Sequence, residues 1–134
     1  MNRVALQVRD YMTRDLVTVS PETDVTQAVS LMIERDISGL LVVDEAGNLA
    51  GIFTERDCIK VASEAGYYDE WGGPVVRYMS TAVESVAPGD NLIDVAAQMV
   101  NSSHRRFPVI DDGRLVGILS RRDVLRAIGT GSWR

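Results

Sequence analysis

The chain has 134 residues, 46% of them hydrophobic and 25% charged, and a net charge of −5 at neutral pH. That length suits one compact domain, and half of it alone would bury too little surface to be more than marginal. The acidic balance argues against nonspecific nucleic-acid binding, which needs a broad basic face, and no apolar run approaches the roughly 20 residues of a membrane span. The single cysteine, Cys58, cannot form an internal disulfide and is weak support for a nucleophile or a metal site; a buried place on a helix is expected for it. The opening residues Met1 to Leu6 lack the charged-then-apolar layout of a secretory signal, so a cytoplasmic location is expected.

The short segment Val17-Thr18-Val19 precedes Pro21 and is predicted to be extended, because the residues before a proline avoid helix. Asp24 then caps a helix with Gln27 three residues on. Val25, Ala28, Val29, Met32 and Ile33 supply its apolar face at the i, i+3, i+4, i+7, i+8 spacing. Leu40-Leu41-Val42-Val43 is a short apolar strand, Asp44 to Asn48 a turn, and Leu49 to Phe53 the returning strand. Thr54 opens a second helix to which Ile59, Val61 and Ala62 contribute apolar contacts. The glycine- and aromatic-rich stretch 66–74 marks a boundary, with Tyr67, Tyr68 and Trp71 expected to cover an edge of the core or to join a dimer contact.

From there the pattern begins again. Tyr78-Met79, Pro88, Met99 and Val109-Ile110-Asp111 answer Tyr11-Met12, Pro21, Met32 and Val42-Val43-Asp44 at an offset of 67. One residue is lost in the turn at Asp111-Asp112-Gly113-Arg114, and Gly117-Ile118-Leu119-Ser120-Arg121-Arg122-Asp123 then answers Gly51 to Asp57 at an offset of 66. The second copy has its own extended segment, Glu84-Ser85-Val86, a helix from Asn91 through Leu92, Val95, Ala96, Met99 and Val100, and a last helix with Val124, Leu125 and Ile128. Each copy reads β-α-β-β-α, an α/β (α+β) class. Copies this short must share a core, and the cleft between them is a natural ligand site.

The repeated Gly-Ile-Phe/Leu-Thr/Ser-x-Arg-Asp places a hydroxyl at a helix start and a carboxylate three residues later. One reading is a capping box that satisfies the free amides of the first turn. The other is a ligand site, with the helix start and its hydroxyl accepting a phosphate and the carboxylate accepting the two hydroxyls of a ribose. His104-Arg105-Arg106-Phe107-Pro108 leads into the strand of the second copy, where adjacent guanidinium groups could bind phosphate oxygens, or form a solvated basic turn. Arg121 and Arg122 add to the basic character there, a local patch that suits a small anion better than a polyanion. No serine or cysteine stands in sequence as a partner for His104, no metal-ligand cluster and no P-loop is seen, and an enzyme has least support.

Val8-Arg9-Asp10-Tyr11-Met12-Thr13, Pro21, the amphipathic helix, Leu41-Val42-Val43-Asp44 and Gly51 to Asp57, each repeated in register, resemble the cystathionine-β-synthase (CBS) domain, here as a tandem pair or Bateman module. The resemblance covers residues 8 to 128 and implies repeats at 8–65 and 75–130 about a pseudo-two-fold axis, with 66–74 as linker. It implies a regulatory module without catalysis or catalytic cofactor, binding an adenosine nucleotide, AMP first and ADP or ATP as rivals. It also implies a disc-like homodimer and a regulated protein on another chain. Under the resemblance Thr54 with Asp57, and Ser120 with Asp123, hold phosphate and ribose, while Arg105 and Arg106 hold phosphate. Thr18 or Ser85 lies near the base, which backbone groups and side chains such as Val19 and Val109 grip. Arg56, His104, Phe107, Pro108 and Arg122 complete the expected set. By family geometry each cleft mixes the repeats, so Thr54 and Asp57 are expected to face Arg105, Arg106 and Arg122. Because Ser38-Gly39 stands where the second copy has Arg105-Arg106, one competent site per chain is expected. A ligand-free dimerisation scaffold and an S-adenosylmethionine sensor are the alternatives, the arginine pair speaking against a cationic sulfonium.

Overall fold

The short turn Val8–Asp10, near the start of the chain, packs not with the strands and helices that follow it but with those of the second copy. The computed structural model describes residues 6–68 and 72–131. Its elements run β1 (Thr18–Val19), α1 (Val25–Arg35), β2 (Gly39–Val43), β3 (Leu49–Thr54), α2 (Glu55–Tyr68), α3 (Leu92–Val100), β4 (Arg106–Asp111), β5 (Arg114–Ser120) and α4 (Arg121–Gly129). The first copy has the expected β-α-β-β-α order, and the second has α-β-β-α without a strand before its first helix, so both are of the mixed α and β class expected.

Two compact units form, and each is named here for its central phenylalanine. The Phe53 unit comprises Val17–Val83, and the Phe107 unit comprises the described residues up to Leu16 together with those from Glu84 onward. In the Phe53 unit β1 runs parallel to β2 and β2 antiparallel to β3, with Leu40 opposite Phe53 and Gly39 opposite Thr54. In the Phe107 unit β4 and β5 form the antiparallel pair, with Phe107 opposite Leu119 and Arg106 opposite Ser120. Glu84-Ser85-Val86 does not form a strand. Only Val86 pairs, as a parallel bridge to Val109 that repeats the Val19 to Val42 pairing of the other copy.

The hydrophobic cores explain the division. Val8 and Met12 are buried with Leu92, Val95, Met99, Phe107, Val109 and Leu119, whereas Val75 is buried with Val25, Ala28, Met32, Leu40, Val42 and Phe53. Complete burial of Phe53 or Phe107 is worth roughly 1.5–3 kcal/mol relative to exposure. The opening residues of each sequence repeat therefore lie in the core of the other repeat's body, and the limits of the compact units differ from those of the repeats.

Local chemistry sets the element ends. Asp24 accepts from the amide and hydroxyl of Thr26 and caps α1; Asn91 accepts from the amides of Ile93 and Asp94 and caps α3. Helix α1 stops at Asp36, which adopts the left-handed conformation at φ 51°. The β4–β5 hairpin turns through Asp112 and Gly113, both with positive φ, as a two-residue turn matched to strand twist requires. Helix α2 runs through Tyr68, past the expected boundary at 65. The aromatic cover expected of Tyr67, Tyr68 and Trp71 falls on side chains outside the described residues.

Not all of the expected apolar faces are covered. Val25, Ala28 and Met32 of α1 are buried, but Ile33 is 76% exposed, and its counterpart Val100 on α3 is 83% exposed. Ile59, Leu125 and Ile128 are also exposed. One edge of each helical stripe faces the sheet of its own unit, and the other edge lies outside what a single helix and sheet can cover.

Candidate functional site

The duplicated hydroxyl and carboxylate are brought together in both units. In the Phe53 unit β3 ends and α2 begins at Thr54, whose amide and hydroxyl donate to Asp57 Oδ2 at 2.9 and 3.1 Å. The Asp57 amide donates back to Thr54 Oγ1 at 3.4 Å. In the Phe107 unit the Ser120 amide and hydroxyl donate to Asp123 Oδ2 at 2.8 and 3.0 Å, and the Asp123 amide donates to Ser120 Oγ at 3.3 Å. Both are reciprocal capping boxes. The capping reading of the sequence is thus realised at these residues.

The other carboxylate oxygen is engaged as well. Asp57 Oδ1 accepts from the Ser80 hydroxyl at 3.2 Å and from Lys60 Nζ at 3.1 Å. Asp123 Oδ1 accepts from the Thr13 hydroxyl at 3.4 Å and from Arg126 at 2.7 Å. Asp57 is 1% and Asp123 4% exposed, a burial tolerable for an ionised carboxylate only with this many donors. Thr13, Ser80, Lys60 and Arg126 were not among the residues expected at the site. Their signal was present in the repeat, since a hydroxyl follows Tyr-Met in both copies and a cation follows each aspartate by three residues.

The remaining expected residues divide between the units. Thr18 and Val19 form β1, the first exposed and the second half-buried, and Arg56 is exposed on the first turn of α2. Arg105, Arg106, Arg122, Ser85 and His104 belong to the Phe107 unit, with Arg105, Arg122 and Ser85 exposed. The ladder sets Arg106 opposite Ser120, and the Arg121 amide donates to the Arg105 carbonyl at 3.3 Å, so the arginine pair lies beside the start of α4. Phe107, Pro108 and Val109 are buried. The side chains of Phe107 and Val109 fill the core of their unit, which leaves their backbone as the part able to meet a ligand.

Cys58 lies half-buried on α2, its thiol 3.8 Å from Met32 Sδ, where burial and then the neighbouring Asp57 charge push its pKa up. A protonated thiol is a poor nucleophile. Among the described residues no cluster of three acidic, histidine or cysteine side chains could hold a metal ion, and no helix is long and apolar enough to cross a membrane.

Comparison with known proteins agrees with this architecture. The family model for the CBS domain matches residues 8–64 and 75–130. A CBS domain-containing protein of Bacillus subtilis, YhcV, is 34% identical over 117 residues, 87% of this chain and 81% of that protein. An uncharacterized protein of Methanocaldococcus jannaschii is 30% identical over 123 residues; the chain spans 43% of its length. Matches to an inosine-5'-monophosphate dehydrogenase and an A-adding tRNA nucleotidyltransferase cover 22% and 14% of those proteins. Among solved structures, CBSX2 in complex with AMP has a TM-score of 0.83 at 33% identity, covering 92% of this chain and 96% of that one. The CBS domain pair of protein MJ0100, in complex with 5'-methylthioadenosine and S-adenosyl-L-methionine, has a TM-score of 0.80 at 25% identity, covering 96% and 99%. The chain belongs to the CBS domain family, as a tandem pair.

Proposed function

We propose that this CBS pair is a regulatory module that binds an adenosine nucleotide, AMP before ADP or ATP, and passes the binding signal to a separate protein. The observation that carries the reading is the arginine pair, Arg105 and Arg106, set by the β4–β5 register beside the hydroxyl-bearing start of α4. Guanidinium groups and helix-start amides are complementary to phosphate, and the Asp57 and Asp123 carboxylates are acceptors of the kind a ribose needs. The likeness to CBSX2, whose structure holds AMP, supports the same ligand class. Thr54 and Ser120 serve phosphate, and Thr18 and Ser85 the base. Because Ser38-Gly39 replaces the arginine pair in the first copy, each chain has one strong site.

The module has no catalysis of its own in this reading, and its signal is a difference in ligand affinity between two arrangements of the pair. Two copies associate through the exposed edges of the helices, where Ile33 and Ile59 in one repeat and Val100 and Leu125 in the other leave apolar surface uncovered. Sensing of S-adenosylmethionine is the second reading, favoured by the ligands of the MJ0100 pair. The sulfonium is cationic, and the arginine pair opposes it.

Calorimetric titration of nucleotide-stripped protein with AMP tests the proposal, with one site per chain expected. Arg106→Ala is expected to weaken AMP by about 1.5–3 kcal/mol, the range for a hydrogen bond to a charged group, and to leave adenosine unaffected. Equal loss of both ligands would remove the phosphate role, and silence toward every adenosine nucleotide together with a stable dimer would leave a scaffold. Tighter binding of S-adenosylmethionine than AMP would favour the second reading.

A further inference from the structure

The two carboxylates assigned to ribose are each already closed by a hydroxyl of the protein. Asp57 Oδ2 is used by Thr54, and Oδ1 by Ser80 and Lys60, while the Ser80 hydroxyl also lies 3.4 Å from Oδ2. A carboxylate offers about four acceptor positions, so a ribose can be accepted only by exchange with a donor already present. The Thr54 amide bond holds the start of α2 whether or not the Thr54 hydroxyl turns to phosphate, and Ser80 and Lys60 are the donors that a ribose would replace on the other oxygen. Resting on the ribose role proposed above for these aspartates, we infer that the Ser80 hydroxyl is an internal competitor of the ribose hydroxyls, and that Asp57, rather than Asp123, is the carboxylate that opens to ligand.

Two features make the two closures unequal. Lys60 holds Asp57 by a single contact at 3.1 Å, whereas Arg126 donates to Asp123 at 2.7 Å and to the Tyr11 carbonyl at 2.9 Å, tying carboxylate and opening segment together. Ser80 is unbranched at Cβ and rotates among staggered positions with little cost, whereas Thr13 is β-branched and stiff about χ1. In both copies the backbone need not move: Ser80 and Ile52 exchange amide-to-carbonyl bonds at 2.8 and 2.9 Å, as Thr13 and Ile118 do at 2.9 and 3.0 Å, and these are independent of the side chain. Rotation of one hydroxyl therefore frees Asp57 without unfolding the segment. Ser80 is in this sense a specificity-setting residue. It sets the affinity for ligands with ribose hydroxyls and leaves that for ligands without them unchanged.

Calorimetry on the full chain with adenosine and 2',3'-dideoxyadenosine separates these terms. Ser80→Ala is expected to bind adenosine about tenfold more tightly, the equivalent of one hydrogen bond to a charged group no longer displaced, and to bind the dideoxynucleoside as the parent does. Lys60→Met, at an exposed position, is expected to shift the same ratio in the same direction. Equal changes for both ligands, or none, in a protein that binds AMP would overturn the inference and leave the proposed function standing. A shift of the ratio in Thr13→Ala but not in Ser80→Ala would overturn the choice of Asp57. Failure of the parent protein to bind either AMP or adenosine would remove both readings together.

Discussion

Arg126 donates from its guanidinium to the carbonyl of Tyr11 at 2.9 Å, across 115 positions of sequence, while the same nitrogen lies 2.7 Å from Asp123. The side chain thereby fastens the opening of the chain to its last helix. Lys60 occupies the matching place in the other repeat, with its contact to Asp57 at 3.1 Å. Arg126→Ala is expected to lower the stability of the protein by about 1 kcal/mol, since Arg126 is more than half exposed and solvent screens its half of the pair. Lys60→Ala is expected to cost less. Urea unfolding of the two variants gives the order.

Gly51 and Gly117 are counterparts across the repeat, yet their surroundings differ. A Cβ on Gly51 would lie 2.7 Å from the Ser80 carbonyl oxygen and 2.9 Å from Met79 Sδ, whereas on Gly117 the nearest atom is Met12 Sδ at 2.7 Å, with the Thr13 carbonyl at 3.1 Å. A methionine side chain can shift and a bridged backbone resists. Gly51→Ala is expected to cost about 1–3 kcal/mol, the usual range for overpacking, and Gly117→Ala less. Thermal or urea denaturation should separate them, and equal costs would show that the Ile52 to Ser80 bridge yields as readily as a side chain.

Asn91 is exposed, and its side chain accepts the Ile93 and Asp94 amides at the start of α3. Asn91→Ala is expected to destabilise by about 1 kcal/mol, while Asn91→Asp, which preserves the acceptor, should hold stability near that of the parent. Far-ultraviolet melting curves test both.

Asp24 contributes a pH dependence. The hydroxyl of Thr26, followed by the amides of Thr26 and Gly73, holds its carboxyl below the usual value of 3.8. A carboxyl lowered by folding adds stability that is present above its unfolded value and lost as pH falls through its folded value. Stability is therefore expected to decline below about pH 4 more steeply in the parent than in Asp24→Asn, whose side chain does not titrate in that range. Melting temperatures collected across that acid range, compared between the two proteins, provide the measurement.

Much of this structure was legible in the chain because the repeat wrote each signal twice. The helix faces at Val25, Ala28 and Met32, the hairpin at Asp112-Gly113, and the hydroxyl and carboxylate pairs all follow from local rules of period, turn chemistry and capping. Local rules could not say where Val8, Thr13, Val75 and Ser80 would go, because those residues find their partners far along the chain through burial and hydrogen bonding. The same limit explains the exposed residues. Periodicity marks Ile33 and Val100 as apolar positions on a helix face but carries no information on how much of that face a sheet will cover. Ser85 shows a further difference, since the segment expected to be extended before Pro88 has only one paired residue, Val86.

The placement of Val8 and Val75 in each other's repeat bears on how such a chain could arise. A gene coding for a single copy would make a product whose first residues belong in the core of a different molecule, so two products would have to trade these arms at a rate that depends on their concentration. Joining the copies by a linker places both arms and both receptors on one polymer and turns that trade into a unimolecular step with a fixed local concentration. Fusion thus frees the folding of the pair from dilution, and the abundance of the protein in a cell no longer decides whether its two halves are complete.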